Sequence, residues 1–309
     1  MGSWAGAAWC RGRWEWRVAD TPAVVNILTV DVEEYYHGVE FTTALGADAL
    51  ARLPSRVMAQ TERVLDLLDA HGARATFFTL GVVAQRFPRL VRSLVARGHE
   101  LASHGWDHTP VFHLGPEGFR ADVRRARRAL ESAAGRAVRG YRAPNYSIRP
   151  DTPWAFGILA EEGHTYDSSI HPITHDRYGF PDSPRFAHRL PGDSGLWEVP
   201  VGTARALGTN LPLGGGFFRL FPAPLLQGAI ASVNRRDRQP LVLYVHPWEF
   251  DPEQPRPPMP WTHRFRHYVG LAGAERKLRA LLAAFRFTTI EDAVAPARIE
   301  PAAAVARAS

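Results

Sequence analysis

The chain has 309 residues, 45% hydrophobic and 22% charged, enough to bury one large α/β core or two modest ones. No stretch approaches the roughly 18 consecutive apolar residues of a membrane span, so no transmembrane segment is expected. The net charge of +6 does not point to nucleic acid, because Lys277 is the only lysine and the arginines are scattered with no stacking or groove-reading module. Arg120, Arg124, Arg127 and Arg128 read as a solvated helix face.

Residues 1–24 interleave Trp4, Trp9, Trp14 and Trp16 with Arg11, Arg13 and Arg17 and lack the apolar run of a secretory signal. They are read as a disordered extension, and the Ala-rich residues 295–309 as a tail. With no signal visible and Cys10 the single cysteine, a reducing cytoplasmic setting is expected.

Between these ends, short β-branched runs alternate with helical patterns, the mark of βα units around a largely parallel sheet. Residues 25–30 (VNILTV) form an apolar strand that stops at Asp31. A helix over 56–70 ends at Gly72, residues 75–80 form the next strand, and one helix covers 82–97 up to Gly98. A short strand over 99–103 delivers His104. A helix over 116–134 leads to a strand at 139–142, then a helix over 152–162 and extended chain at 165–167. Strands at 196–201 and 241–245, helices at 222–234 and 271–285, and a strand at 287–290 complete the domain. Residues 252–260 are a proline-rich surface loop.

His104 and His108 stand four residues apart, a spacing that places two imidazoles on one side of a helical turn, within reach of one cation. Alone, the same spacing fits two ordinary surface or core histidines. With no cysteine nearby, a metal there needs a carboxylate from elsewhere and keeps a position for water, the catalytic pattern. Asp31, His104, Arg142, Asp167 and His246 all fall at or just beyond the C-terminal end of a predicted strand. In a parallel α/β barrel that edge carries the chemistry.

The runs TVDVEEYYH (29–37), SHGWDH (103–108), RAPNY (142–146) and LYVHP (243–247) resemble, in order and spacing, the successive motifs of the polysaccharide deacetylases. These form carbohydrate esterase family four, with the NodB homology domain. The resemblance covers residues 25–294. The DVEEYYH opening and WTHRFRHYVG (261–270) look most like a bacterial subgroup linked to exosortase-type exopolysaccharide gene clusters. The resemblance implies a distorted (β/α) barrel with fewer than eight strands, and a divalent metal, commonly zinc.

It also implies roles. His104 and His108 resemble the metal imidazoles, Asp31 the catalytic base, Arg142 its charge partner and His246 the general acid. Asp167 is expected to hold His246 in the right tautomer and raise its pKa. Backbone N–H groups around Asn145 and Tyr146 are the expected oxyanion donors. Trp248, beside His246, is a candidate platform for a pyranose face. Family members commonly use an aspartate as the metal carboxylate; here the candidate is Glu33, since extended positions two apart share a face with Asp31 while Glu34 turns away.

Blander readings accompany these. Asp31 could cap the next segment, Arg142 could be a turn arginine, and Asp167 sits in Asp-Ser-Ser, an ordinary cap or turn sequence. Trp197, Trp248 and Trp261 are more often packing residues than sugar platforms, and His37, His171, His175 and His263 are rim residues without a role. The tryptophan-bearing motif of typical members is not recognisable near Asp167. The expected activity is metal-dependent removal of N-acetyl groups from amino sugars of a bacterial exopolysaccharide or its precursor, with an N-acetylated polysaccharide or oligosaccharide as the expected partner. The alternatives are a small-molecule amidohydrolase of the allantoin-type branch and a catalytically silent carbohydrate-binding protein.

Overall fold

Strand β1 (Asn26–Val32) is buried along its whole length and organises the molecule, described here by a computed structural model covering residues 24–294 except 176–177, 192–193 and 207. The extension and tail read from the sequence lie outside the described residues, apart from Val24. Along β1 the side chains alternate, as a pleated strand requires. Leu28, Val30 and Val32 join the core under the helices, while Ile27 belongs to the barrel interior and Thr29 and Asp31 both meet Arg142.

The strands that follow are β2 (Thr76–Thr79), β3 (Glu100–Ser103), β4 (Gly140–Tyr141), β5 (Tyr166–Asp167), β6 (His188–Arg189) and β7 (Trp197–Glu198). Beyond them come β8 (Thr203–Ala206), β9 (Thr209–Pro212), β10 (Val242–Val245) and β11 (Phe287–Thr288). The main sheet runs β10-β1-β2-β3-β4-β5-β7-β6. Every pairing from β10 to β7 is parallel; β6 closes the edge antiparallel, and β11 pairs with the start of β1. The result, among the described residues, is a curled, incompletely closed α/β barrel with seven parallel strands along the path from β10 to β7 and β11 added in parallel beside β1. The gap is bridged by Gly202, whose N–H donates to the Val242 carbonyl at 2.8 Å. A Cβ there would lie 2.5 Å from that carbonyl oxygen, so only glycine permits the approach.

Helices Val57–Asp69, Pro88–Ala96 and Leu271–Ala284 bury Val64, Leu68, Leu90, Leu94, Leu278 and Leu281 against the outer sheet face. Inside, Phe78, Tyr166, Trp197 and Val199 fill the lower barrel, leaving its upper end polar.

Several boundaries differ from expectation. The helix expected over 82–97 is two, Gly81–Arg86 and Pro88–Ala96, broken at Phe87 (φ −128°, ψ 60°) because Pro88 bars the residue before it from helical geometry. The helix expected from 116 begins at Val111, with a kink at Gly115 (φ 64°) ahead of Pro116. The strand expected over 196–201 pairs only at Trp197–Glu198, and the helix expected over 222–234 is Ala223–Ser232 followed by a widened turn, Val233–Asp237.

Candidate active site

At the C-terminal rim of β1 and β4, Arg142 is completely buried, and a buried guanidinium must spend its donors on protein. Nη1 donates to Asp31 Oδ1 at 2.7 Å and to Thr29 Oγ1 at 2.8 Å. Nε donates to the Ser168 carbonyl at 3.1 Å and Nη2 to Ser168 Oγ at 2.8 Å. The group lies 4.1 Å over the Phe78 ring. Asp31 is thereby fixed in orientation and supplied with a positive neighbour.

The Arg142 carbonyl has its own task, accepting a hydrogen bond from His104 Nδ1 at 2.9 Å. A carbonyl can only accept, so Nδ1 carries the proton and Nε2 keeps a free lone pair. Burial pushes this imidazole down to about 4, which holds it neutral. His104, His108 and Glu33 bring ligand atoms to within 4.8 Å of one another, and Glu33 Oε2 stands 2.5 Å from His108 Nε2. Burial works against a charged Glu33, but His108, His246 and His104 outweigh it and hold the carboxyl well below its usual range.

The two histidines converge by a route different from the expected helical turn. Residues 104–110 are a loop, with Gly105 (φ 77°) and His108 (φ 71°) both left-handed. Gly81 N–H donates to Gly105 O and Val82 N–H to Trp106 O, each at 2.9 Å, while Asp122 accepts the Trp106 N–H at 3.0 Å. A left-handed non-glycine residue costs on the order of 1 kcal/mol, which these tethers offset.

The donor set fits a divalent cation. It offers an imidazole lone pair facing inward, a second imidazole, and a buried carboxylate oxygen, Glu33 Oε2, whose close neighbour is the nitrogen of that second imidazole. Two nitrogens and one oxygen leave coordination positions free for water and substrate. Glu33 Oε1 is held separately by the Trp248 indole N–H at 3.1 Å. Glu34 turns away to cap the helix Val57–Asp69, accepting from the N–H groups of Arg56 and Val57.

On the opposite side, His246 Nε2 lies 3.9 Å from Asp31 Oδ2 and 4.0 Å from Glu33 Oε1. Its Nδ1 faces Glu249 Oε2 at 3.6 Å, and the same oxygen accepts the His246 backbone N–H at 3.0 Å. Glu249 Oε1 in turn takes Arg219 Nε at 2.9 Å. Burial alone would lower the imidazole; Glu249, with Glu33 and Asp31, outweighs it and pushes the group up to about 9.

Three expectations are corrected. Asp167 does not serve His246: it accepts from Ser169 and contacts Glu198, and Glu249 occupies the place facing Nδ1. Trp248 is no sugar platform, being 5% exposed and stacked between His246 (5.0 Å) and His267 (4.5 Å). The Tyr146 N–H donates to the Ala143 carbonyl at 3.0 Å and is not available to an oxyanion. Its ring packs instead against Tyr244 (5.3 Å) and His171 (5.5 Å). Asn145, left-handed at φ 54°, is half-buried in the same turn. Among the rim histidines, His37 stacks on His108 at 5.6 Å and His263 meets the Glu40 carbonyl.

Glu249 and Arg219 went unread in the sequence. The signal available for Glu249 was its position three residues after His246, a capping spacing; Arg219 offered none.

Residues 53–165 match the family model described as polysaccharide deacetylase, and residues 168–295 match a domain of unknown function, DUF3473. A chitooligosaccharide deacetylase from Sinorhizobium fredii is 36% identical over 112 residues, 36% of this chain and about half (49%) of that relative. A chitooligosaccharide deacetylase from Azorhizobium caulinodans is 34% identical over 163 residues, 48% of this chain and 76% of the relative. The chain belongs to the polysaccharide deacetylase family. A Mycobacterium smegmatis protein described as a polysaccharide deacetylase shares the fold at a TM-score of 0.56 and 22% identity, over 88% of each chain.

Family membership gives the split of the two models a physical reading. Asp31 and Glu33 precede the first matched stretch and His104 and His108 lie within it, whereas His246, Trp248, Glu249 and Arg219 all come from the DUF3473 stretch. Both halves face one rim because β10 lies beside β1, with Val30 opposite Val245.

Proposed function

We propose that this polysaccharide deacetylase removes N-acetyl groups from amino sugars of a bacterial exopolysaccharide or its precursor, in a metal-dependent hydrolysis. Residues 25–294 act as one catalytic unit. The observation that carries the reading is the placement of Asp31 and His246 beside the Glu33, His104 and His108 cluster. The exopolysaccharide is inferred from the DVEEYYH and WTHRFRHYVG runs, and zinc from the imidazole-rich donor set.

A divalent cation held by Glu33, His104 and His108 supplies Lewis-acid polarisation of a carbonyl and a lowered pKa for water. The chain's own groups supply the proton traffic. Asp31, oriented by Arg142, takes a proton from the water that attacks the acetyl carbon. His246, charged at neutral pH beside Glu249, gives a proton to the departing sugar nitrogen as the C–N bond breaks. Acetate and a free amine result.

The test is acetate release from N-acetylglucosamine oligomers by metal-reconstituted protein, read by mass spectrometry of the glycan. Activity is expected to vanish in Asp31→Asn and in His104→Ala with His108→Ala. Full turnover in either variant, or turnover indifferent to metal, contradicts the reading.

A further inference from the structure

Strands β5 and β7 run parallel with Asp167 opposite Glu198, and both residues are 0% exposed. Their carboxyl groups are in hydrogen-bond contact with each other. Two buried carboxyls in contact cannot both be ionised, so a proton lies between them.

The surrounding donors decide who owns it. Asp167 accepts the Ser169 N–H on Oδ2 at 2.9 Å and the Ser169 hydroxyl on Oδ1 at 2.7 Å. Glu198 accepts the Ile170 N–H on Oε1 at 3.0 Å, while its Oε2 is buried and receives no hydrogen bond. The acceptor-rich carboxyl is Asp167; the oxygen left to carry hydrogen is Glu198 Oε2. Arg142 is the cation that acts on both. His188, opposite Glu198 across β6, has Nδ1 on the Phe186 carbonyl and is held down by burial. Tyr141, beside Asp167 on β4, is pushed up and stays a neutral phenol.

We propose that Glu198 is a neutral acid donating its one proton to the Asp167 carboxylate, and that this pair is the device that positions Arg142. The connection runs through two serines. Ser169 Oγ donates to Asp167 while accepting the Ala143 N–H at 2.8 Å. Ser168 accepts two Arg142 donors, on its carbonyl and on Oγ, and Oγ donates onward to the Val199 carbonyl at 2.6 Å. Asp167 thus fixes the chain at Ser168–Ser169, and that chain fixes Arg142, which holds Asp31 through its side chain and His104 through its carbonyl.

Glu198→Gln keeps a donor toward Asp167, through its amide, and removes the acid. Glu198→Leu keeps volume and removes the donor. Infrared difference spectra of the full chain at neutral pH, wild type minus Glu198→Gln, are expected to show a protonated-carboxyl band lost in the variant. Glu100 and Asp122, also pushed up by burial, are common to both samples and cancel. Acetate release is expected within about threefold of wild type for Glu198→Gln and on the order of tenfold or more lower for Glu198→Leu, with metal stoichiometry unchanged in both. Absence of the band difference, or equal damage from Gln and Leu, overturns the proposal; should the Leu variant not fold, the Gln variant and the spectrum decide. The activity arm rests on the deacetylase reading and the infrared arm does not, so a band without acetate release counts against that reading alone.

Discussion

Trp248 Nε1 donates to Glu33 Oε1 across 215 positions of sequence, so the DUF3473 stretch orients a carboxylate supplied by the first strand. An oxygen aimed in this way keeps its partner oxygen, Oε2, turned toward the two imidazoles. Removing the N–H while keeping an aromatic ring, in Trp248→Phe, is expected to weaken metal binding about 10–100-fold. Global stability should fall by only about 1 kcal/mol. Competition titration with a metallochromic chelator and a thermal melt read the two effects separately.

Glu249→Gln retains an acceptor for Arg219 but removes the negative charge facing His246. A raised imidazole contributes stability that is present below the unfolded value near 6.5 and lost as pH rises through about 9. In its proposed role as general acid it also sets an alkaline limb of activity. Without Glu249 that limb is expected to move to lower pH, and the alkaline loss of stability to shrink. A pH–rate profile of the variant against wild type checks this; an unmoved limb assigns the limb to another group.

Asp122 accepts the Trp106 N–H inside the loop that carries both candidate imidazole ligands, and burial pushes it up to about 7. For a carboxyl raised above its unfolded value, the stabilising contribution is complete below that value near 3.8 and disappears as pH climbs to about 7. The loss is on the order of 2–4 kcal/mol. Asp122→Asn keeps the acceptor and cannot ionise, so its melting temperature is expected to be flatter over that window and higher than wild type at pH about 8. Thermal melts across the window measure it.

Removing metal by chelation and restoring it provides a test of the three-residue cluster independent of substrate. Readdition at about 100 times Kd is expected to stabilise the fold by about 2.7 kcal/mol. His104→Ala with His108→Ala should show no such gain in differential scanning calorimetry.

Much of this was legible in the chain because buried strands end abruptly. VNILTV stopping at Asp31, and LVLYV stopping at His246, mark the rim, and the adjacency of β10 and β1 brings the two acids and the histidine together. What resisted reading depends on pairing across the sheet. Asp167 looked like a partner for His246 because both end strands, yet the strand beside it is β7, whose Glu198 claims it. Glu249 reaches His246 through a short turn, a local contact that a strand-by-strand reading passes over. The helix break at Phe87 was written in Pro88, whereas the left-handed His108 sits in a loop whose Gly105 and Trp106 are tethered to Gly81, Val82 and Asp122, contacts no local pattern announces.

Because β10 nests against β1, the rim that carries the candidate site is a seam between the beginning of the domain and its last third. A nascent chain released through residue 165 already carries the three candidate ligands but has neither His246, the proposed proton donor, nor the indole that steadies Glu33. Competence therefore arrives late in synthesis, when a distant strand threads in beside the first, and the long loop closure this demands marks the protein as a slow folder.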